Sequence, residues 1–284
     1  MRSFTERALP YGRSGVDISL RVTEVLYDER SEYGHIQVLD TEFFGRTLVI
    51  DGILQTTVSD EFIYHEMLCL AALVRHREPR QVLIVGGGDG GAAKQALRYT
   101  TVESVTQVEI DPAVVEVSRK YLPEVSAGAY DDPRTTLVIG DGAEYVRTTD
   151  QRYDVVVLDL TDPLPGSPAE QLFSSEFLSE CRQVLTPGGV LALQCGSLVF
   201  QPDEVAVMHR RVAEVFRHVT LHHAVVPSYQ LTSFGFLHAS DQPPPDAAAL
   251  AASFQRVSGE SKYLSEATYH SSQVLPPYLE YLRA

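Results

Sequence analysis

The 284-residue sequence contains no tryptophan, 3 methionines and only 3 cysteines. The cysteines, Cys69, Cys181 and Cys195, are widely separated and lie in or beside apolar runs. This spacing matches neither a disulfide framework nor the paired cysteines of a zinc site. We therefore expect three buried thiols.

Basic side chains are also scarce: 23 lysines and arginines stand against 38 aspartates and glutamates, and the formal net charge is −15. Nucleic acids are bound by basic patches that release counterions, so this balance argues against a nucleic-acid partner. Acidity favours cationic ligands, but only weakly unless particular carboxylates are placed to bind them.

Long apolar runs are absent as well. Residues 1–15 carry several charges and no segment of signal-peptide length, and no later segment reaches the length of a membrane span. The sequence therefore predicts a cytosolic protein with no membrane partner. Because 44% of the residues are hydrophobic, the chain can bury a full core.

The first part of the chain, residues 1–58, has the pattern of a small antiparallel β domain. Short strand-like segments alternate with turn signals, and Asp51-Gly52 is a typical hairpin turn. The predicted strands are residues 18–27, 34–40, 46–50 and 53–56.

A helix is predicted next, at the start of a second domain, residues 59–284. Ser59, Asp60 and Glu61 place polar and acidic groups at the positive end of the helix dipole. The apolar segment 62–74 continues this helix, and the basic stretch 75–80 follows it.

From Gln81 onward, continuous apolar strands alternate with helices. This order predicts an α/β fold whose mostly parallel sheet is covered by helices on both faces. With an antiparallel pair at its end, the order resembles the Rossmann-like methyltransferase fold. The predicted strands are 81–85, 104–110, 135–139, 153–158, 190–194, 220–226 and 234–239, and the predicted helices are 91–98, 112–121, 143–147, 175–184 and 203–216.

Glycines and acids stand at the carboxyl ends of four successive predicted strands, where ligands bind in this type of sheet. Any one of these segments could be an ordinary tight turn, but four in succession indicate a ligand site. The segments are Gly86-Gly87-Gly88-Asp89-Gly90-Gly91, Glu109-Ile110-Asp111, Asp141-Gly142 and Asp159-Leu160-Thr161-Asp162-Pro163.

A nucleoside is the ligand that these residues fit best. Gly86 and Gly88 let the backbone approach a ligand closely at a helix N-terminus. Glu109 is placed to accept hydrogen bonds from ribose hydroxyls, and Asp141 could take the adenine amino group. The loop is not a clean G-x-G-x-x-G and contains no arginine or lysine, so a dinucleotide fits less well.

Asp89 within the loop favours one donor over another. Unless its charge is compensated, a carboxylate there should repel the α-carboxylate of S-adenosylmethionine, whereas it would pair with the ammonium of the decarboxylated form. The alternative role for Asp89 is a helix N-cap, and both roles could hold together.

Asp159 and Asp162 suit chemistry on an amine. An amine with a pKa of about 10.4 is protonated at neutral pH, so a site that uses it as a nucleophile must bind the cation and remove a proton. Carboxylates can do both. The alternative for Asp-x-x-Asp-Pro is simple turn formation. The loop that follows, with Pro163, Pro165 and Gly166, is long enough to act as a gate.

Together these motifs closely resemble the spermidine synthases, in the right order and from about Ile18 to the C-terminus. The segments that carry the resemblance are Asp51-Gly52-Ile53-Leu54-Gln55-Thr56-Thr57, Asp60-Glu61-Phe62-Ile63-Tyr64-His65-Glu66-Met67, Val85 to Gly91, Val108-Glu109-Ile110-Asp111 and Asp159-Leu160-Thr161-Asp162-Pro163.

The resemblance implies an aminopropyltransferase that uses decarboxylated S-adenosylmethionine as co-substrate, with no cofactor or metal, and assembles as a homodimer or homotetramer through its β domain. It implies that Asp159 is the catalytic base. His65 is expected either to orient a substrate hydrogen bond on the amine side or only to pack. The resemblance implies donor-binding roles for Gln55, Asp89, Glu109, Asp141 and Gly142, and amine-binding roles for Tyr64, Asp162, Gln194 and Tyr229.

The chain departs from the family pattern at positions that bear on its substrates. Gly34 replaces a common glutamine, which is expected to loosen one donor contact. Leu231 and Thr232 replace small residues of the putrescine-specific loop and are expected to change the far end of the amine pocket. The acceptor therefore remains open among putrescine, agmatine and spermidine, and an acceptor longer than putrescine is expected to be used at least as well as putrescine.

Two other functions remain open from the sequence alone: a small-molecule methyltransferase, which Asp89 opposes, and a non-catalytic relative that binds nucleosides or polyamines. Elsewhere, His222 and His223 should face opposite sides of a strand and form no metal site. The tyrosines near the C-terminus are expected to pack against the sheet: Tyr263, Tyr269, Tyr278 and Tyr281.

Overall fold

The computed structural model describes residues 2–7, 16–162 and 169–283. Its first part is a five-stranded antiparallel sheet in the order β1-β2-β3-β4-β5. Asp51 and Gly52 connect the last two strands with φ angles of 51° and 78°, as the predicted hairpin turn requires. The strands are β1 Arg2–Arg7, β2 Asp17–Arg30, β3 His35–Thr41, β4 Gly45–Ile50 and β5 Ile53–Thr57.

Strand β1 was not predicted from the sequence. It is an edge strand that pairs with β2 alone, with Phe4 opposite Leu20 and Glu6 opposite Ile18. Its mostly polar sequence resembles that of an unstructured terminus. The segment forms a strand only because β2 supplies its hydrogen-bond partners. Its one buried carboxylate, Glu6, accepts a hydrogen bond from Leu54 N at 3.1 Å.

The second part is a seven-stranded sheet in the order β11-β12-β10-β9-β6-β7-β8, in which only β12 runs antiparallel, pairing with β10 on one side and β11 on the other. The predicted α/β fold class is confirmed. Neighbours of β6 lie on both sides, so the strand order reverses there and opens a crevice at the carboxyl ends. The strands are β6 Gln81–Gly86, β7 Ser104–Glu109, β8 Thr135–Ile139, β9 Tyr153–Asp159, β10 Leu185–Ser197, β11 His218–Val226 and β12 Thr232–Ser240.

Helices cover both faces of this sheet and enclose two separate hydrophobic cores. One core contains Phe177, Leu178 and Val205, and the other contains Met67, Leu70 and Ala93. The helices are α1 Glu61–His65, α2 Ala71–His76, α3 Gly91–Leu97, α4 Pro112–Tyr121, α5 Pro123–Ser126, α6 Gly142–Thr148, α7 Ser175–Val184, α8 Pro202–Val215, α9 Ala247–Phe254 and α10 Glu266–Ser271.

The two sheets are joined by a third core. Apolar side chains of β3 and β4, including Ile36 and Leu48, pack against Val114 and Val117 of α4 and Leu122 after it. This contact holds the N-terminal sheet beside the carboxyl ends of the parallel strands. No helix of the described residues is long and apolar enough to cross a membrane.

The predicted helix 62–74 is present as α1 and α2, linked by a π-helical segment, Glu66–Leu70. Asp60 does not cap it through its side chain, contrary to the signature in the sequence. Its carboxylate instead accepts hydrogen bonds from Thr57 Oγ1 and Ser228 N, both at 2.7 Å. Ser228 is distant from Asp60 in sequence, so no local sequence pattern predicts this hydrogen bond.

The predictions for the other singled-out residues have mixed outcomes. All three cysteines are buried and unpaired, and His222 is fully buried whereas His223 is not. Tyr278 and Tyr281 do not pack against the sheet: they are 69% and 49% exposed. They lie on a 3₁₀ segment, Pro277–Arg283. A 3₁₀ helix repeats every three residues, and here Leu279 and Leu282 are the residues that point inward.

Glu66 binds the chain near its C-terminus to the buried π-helical segment. Its carboxylate accepts hydrogen bonds from the backbone N–H groups of Lys262, Tyr263 and Leu264 at 2.7 to 3.0 Å. Arg98 Nη1 lies 3.3 Å away, and Glu66 itself is 1% exposed. One buried charge thus satisfies three backbone donors that have no strand or helix partner.

We predict that Glu66→Gln lowers the free energy of unfolding by about 3–5 kcal/mol, because the buried donors lose a charged acceptor. Urea denaturation measures this. Glu78→Gln is the matched control: Glu78 pairs with Arg256 at 3.1 Å but is 64% exposed, and we expect a change within about 0.5 kcal/mol. Equal effects of the two substitutions would contradict the prediction.

Candidate active site

A cavity of about 250 Å³ lies at the carboxyl ends of β6, β7 and β9 and is closed on one side by the N-terminal sheet. Adjacent strand ends bring its walls together, with Gly86 paired to Asp159 and Glu109 paired to Ile139. All the predicted donor-side residues line it: Gln55, Gly86, Gly88, Asp89, Glu109, Asp141 and Gly142.

The glycine loop lies directly against the neighbouring strand ends. Gly86 has a φ of 84°, and a Cβ there would lie 2.2 Å from the backbone oxygen of Asp159. A Cβ at Gly88 would lie 2.9 Å from Glu109 Oε2. Side chains at these positions would displace the Asp159 backbone and the Glu109 carboxylate, so the loop sequence and the pocket shape depend on each other.

Asp89 lines the cavity and also contacts two groups of the protein, Gly91 N and His65 Nε2. Its Oδ1 accepts a hydrogen bond from Gly91 N at 2.7 Å, which ties it to the start of α3, although Gly90 holds the N-cap position. The same oxygen lies 3.4 Å from His65 Nε2. The carboxylate therefore has a partner for its charge within the protein.

Glu109 and Asp141 stand at the ends of neighbouring strands. Burial raises the pKa of Glu109 to about 7, with a further rise from Asp111 and a partial offset from backbone N–H donors. Asp141 is the N-cap of α6, and its Oδ1 accepts from Ala143 N and Glu144 N. Two carboxyl groups in different environments thus line the same part of the cavity wall, at the ends of neighbouring strands.

Asp159 is the last residue of β9 and lines the cavity at the end of that strand. Tyr64 Oη donates to its Oδ1 at 2.8 Å, while Oδ2 is buried and has no hydrogen-bond partner among the described residues. Burial raises the pKa of Asp159 to about 6; Asp89 adds to the rise, and His65 and Tyr64 oppose it. Asp159 is therefore a carboxyl group that ionises close to neutral pH. One of its oxygens has no hydrogen-bond donor among the described residues.

Asp162 stands beyond Asp159 and is held by amides. Gln194 Nε2 donates to Asp162 Oδ1 at 3.1 Å and to Leu160 O at 3.2 Å. Burial raises the pKa of Asp162, and hydrogen bonds from Gln194 and Gln201 lower it. The carboxylate is thereby fixed at the side of the cavity away from Glu109.

Aromatic rings form the wall between these carboxylates. Tyr64 packs edge-on to Tyr229, with ring centroids 5.6 Å apart, and against Phe236 at 5.5 Å. Tyr229 Oη also donates to Gln55 O of the N-terminal sheet. This wall can cover methylene groups of a ligand while the carboxylates take its charged ends.

Of the predicted amine-side residues, Tyr64, Asp162, Gln194 and Tyr229 line the cavity but His65 does not. The prediction that His65 contacts the amine needs correction, because its ring is buried behind the glycine loop with 1% of the side chain exposed. Adjacent positions on a helix point in directions about 100° apart, so Tyr64 and His65 cannot share one cavity wall.

Sequence reasoning missed two residues of the cavity, Glu6 and Gln201. Burial raises the pKa of Glu6 to about 7, and Asp162 adds to this rise. The alternation Ser3-Phe4-Thr5-Glu6 was the only local sign of a strand there. Gln201 immediately precedes α8, and no sequence pattern marks its contact with Asp162.

The expectations about the acceptor loop also change. Leu231 is 70% exposed, and neither it nor Thr232 lines the cavity; Tyr229 and Gln230 do so instead. Gln230 and Leu231 have φ angles of 58° and 54°, and this turn carries Leu231 away from the site. Gly34 does line the cavity. The predicted gate, residues 163–168, lies outside the described residues.

The fold and the cavity together define an α/β enzyme of the methyltransferase-like class, with a nucleoside-type cleft lined by carboxylates. A family model for the spermine/spermidine synthase domain matches residues 61–248, and one for the spermidine synthase tetramerisation domain matches residues 4–58. The chain belongs to the spermine/spermidine synthase family of aminopropyltransferases.

Individual relatives agree with this assignment. A polyamine aminopropyltransferase of Klebsiella pneumoniae (strain 342) is 41% identical over 261 residues, which cover 91% of each chain. One from Serratia proteamaculans (strain 568) is 40% identical over 261 residues, covering 91% of this chain and 90% of the relative.

Solved structures show the same fold. A crystal structure of spermidine synthase in complex with the transition state analogue AdoDATO superposes with a TM-score of 0.92 at 30% identity, covering 99% of this chain and 94% of that one. Spermidine synthase from Thermotoga maritima gives a TM-score of 0.91 at 30% identity, covering 100% and 94%.

We predict that Tyr64→Phe raises the pKa of Asp159 in the ligand-free protein, because the carboxylate loses the hydroxyl that stabilises its charged form. Carboxyl ¹³C NMR titration measures this pKa. In Tyr145→Phe, which removes a hydroxyl bonded to Tyr153 instead, it should stay at about 6. An unchanged pKa in Tyr64→Phe would show that this hydrogen bond does not form in solution.

Proposed function

We propose that this cavity transfers the aminopropyl group of decarboxylated S-adenosylmethionine to an amine and releases 5′-methylthioadenosine. The observation that carries the proposal is the position of Asp159, whose Oδ2 is buried without a partner in the same cavity as Asp89 and Glu109. A proton acceptor thus stands beside groups suited to the nucleoside and to an ammonium.

The donor would lie along the strand ends. Glu109 would accept hydrogen bonds from the ribose, Asp141 would face the adenine, and Asp89 would pair with the ammonium of the aminopropyl arm. Gln55 of the N-terminal sheet lines the opposite wall. The carboxylate of Asp159 would then face the amine that attacks the aminopropyl carbon.

The reaction requires little of the protein besides positioning and one proton acceptor. The amine nitrogen forms a bond to the aminopropyl carbon, the carbon–sulfur bond breaks, and the sulfur leaves as a neutral thioether. The proton lost by the amine passes to Asp159. Because the leaving group is neutral, neither a general acid nor a metal ion is needed, and in-line orientation supplies the remaining acceleration.

We predict that Asp159→Asn lowers kcat by about two to four orders of magnitude, the usual range for a lost general base, with little change in donor affinity. Asp162→Asn, its matched control in the same cavity, should chiefly raise KM for the amine. Steady-state kinetics with both substrates separates the two effects.

The rate of the unmodified enzyme should fall below a pH of about 6, because protonated Asp159 cannot accept the amine proton. Raising the pH should partly rescue Asp159→Asn by supplying free amine from solution. Near-normal turnover of Asp159→Asn at neutral pH would remove Asp159 from its role as base.

A second, smaller cavity supports an acceptor longer than putrescine. It has a volume of about 140 Å³ and shares Asp162, Gln194 and Gln201 with the main one. Beyond them its walls include Met208 and the carboxylate of Glu204. Carboxylates separated by an apolar wall match the alternation of charge and methylene groups in a triamine.

We predict that Glu204→Gln raises KM for spermidine by roughly tenfold, since one charge contact of about 1.4 kcal/mol is lost, and leaves KM for putrescine unchanged. Rates on both amines measure this. Glu214→Gln, on the same helix but not in the lining, is the matched control. An equal rise in KM for both amines, or no rise for spermidine, would contradict the binding of one end of a triamine in this cavity.

The proposal includes assembly of identical chains. The match of residues 4–58 to a tetramerisation domain supports a homo-oligomer, either a dimer or a tetramer. Sedimentation of the purified protein would distinguish these two forms.

A further inference from the structure

His65 lies between two carboxylates behind the glycine loop. Its Nδ1 is 2.8 Å from Glu61 Oε2, and its Nε2 is 3.4 Å from Asp89 Oδ1. The ring fits closely against Gly91, where a Cβ would lie 2.2 Å from its Cε1 atom. The imidazole is therefore held in one orientation, with each nitrogen facing a different carboxylate.

This arrangement determines the protonation of the ring. A neutral imidazole carries one N–H and one lone pair, so one of its nitrogens would present a lone pair to a carboxylate oxygen. Only the imidazolium can donate to both Glu61 and Asp89. Burial by itself lowers the pKa of His65, but Asp89 and Glu61 raise it to about 10.

The chain of charges continues on the far side of Glu61, where Lys94 Nζ lies 2.6 Å from Glu61 Oε1. Two cations and two anions therefore alternate from Lys94 through Glu61 and His65 to Asp89. Glu61 is 7% exposed and Asp89 9%, so water contributes little to their stabilisation. The last member of the chain, Asp89, is the one that faces the cavity.

Asp159 lies close to this row of charges. A ring nitrogen of His65, a carboxylate oxygen of Asp89 and one of Asp159 all lie within 4.8 Å of one another. Two carboxylates this close and this poorly hydrated disfavour each other's charged forms. The other titratable groups near Asp159 are Tyr64, Cys69 and Tyr229, whose pKa values burial raises, so they are neutral at neutral pH. His65 supplies the positive charge.

We propose that His65 is a positioning residue: a buried imidazolium that orients Asp89 for the donor and favours the ionised form of Asp159. The role of the two carboxylates rests on the proposed function, whereas the charge of His65 does not. His65 does not line the cavity and acts through both carboxylates. As an imidazolium it has no lone pair and cannot ligate a metal ion.

The charge can be measured on the ligand-free protein without any assay of activity. We expect ¹⁵N NMR of histidine-labelled protein to show two protonated nitrogens for His65 at pH 8, and deprotonation only near pH 10. Comparison with His65→Gln identifies its signals among those of the 9 histidines. A nitrogen with a lone pair at pH 8 would overturn the proposal, whatever reaction the protein catalyses.

The role is tested by the pH dependence of kcat. In His65→Gln the acid limb should move upward by about 1–3 pH units, because Asp159 loses its neighbouring cation. His222→Gln is the control: His222 is equally buried, with Nδ1 2.8 Å from Ser272 Oγ, but lies away from the cavity. The acid limb of the pH dependence of kcat should not move in His222→Gln. An unmoved limb in folded, active His65→Gln would overturn the positioning role.

Discussion

The site depends on the cost of gathering carboxylates where little water reaches them. Asp89, Glu109, Asp159 and Asp162 all line one cavity, and burial raises the pKa of the last three. Backbone N–H groups, amides, the Tyr64 hydroxyl and the His65 imidazolium each offset part of that cost. What remains is a carboxyl, Asp159, that ionises near neutral pH, as a proton acceptor for an amine should.

The N-terminal sheet contributes residues and cover to this cavity. It supplies Gln55 and Glu6 to the cavity, and Tyr229 from the far end of the parallel sheet donates to its backbone at Gln55. Packing of β3 and β4 on α4 keeps the two sheets together. By excluding water, this cover strengthens every charge interaction within the cavity.

Much of the fold could be predicted because its signals are local. Continuous apolar strands alternating with helices specified a parallel sheet, and Asp51-Gly52 specified a hairpin. Two of the failures share one cause, since β1 and Asp60 depend on partners distant in sequence. An edge strand with a single apolar residue, or a cap that finds a tertiary donor, leaves little local pattern.

The sequence by itself determined the class of fold, the glycine loop and the acids at four strand ends, because parallel strands bring their carboxyl ends to one edge. Only the tertiary structure decided what those acids meet. It turned His65 away from the amine and toward Asp89, brought Glu6 into the cavity and carried Leu231 out of it. Side-chain direction and burial follow from packing between distant segments, and the pKa of each carboxyl depends on both.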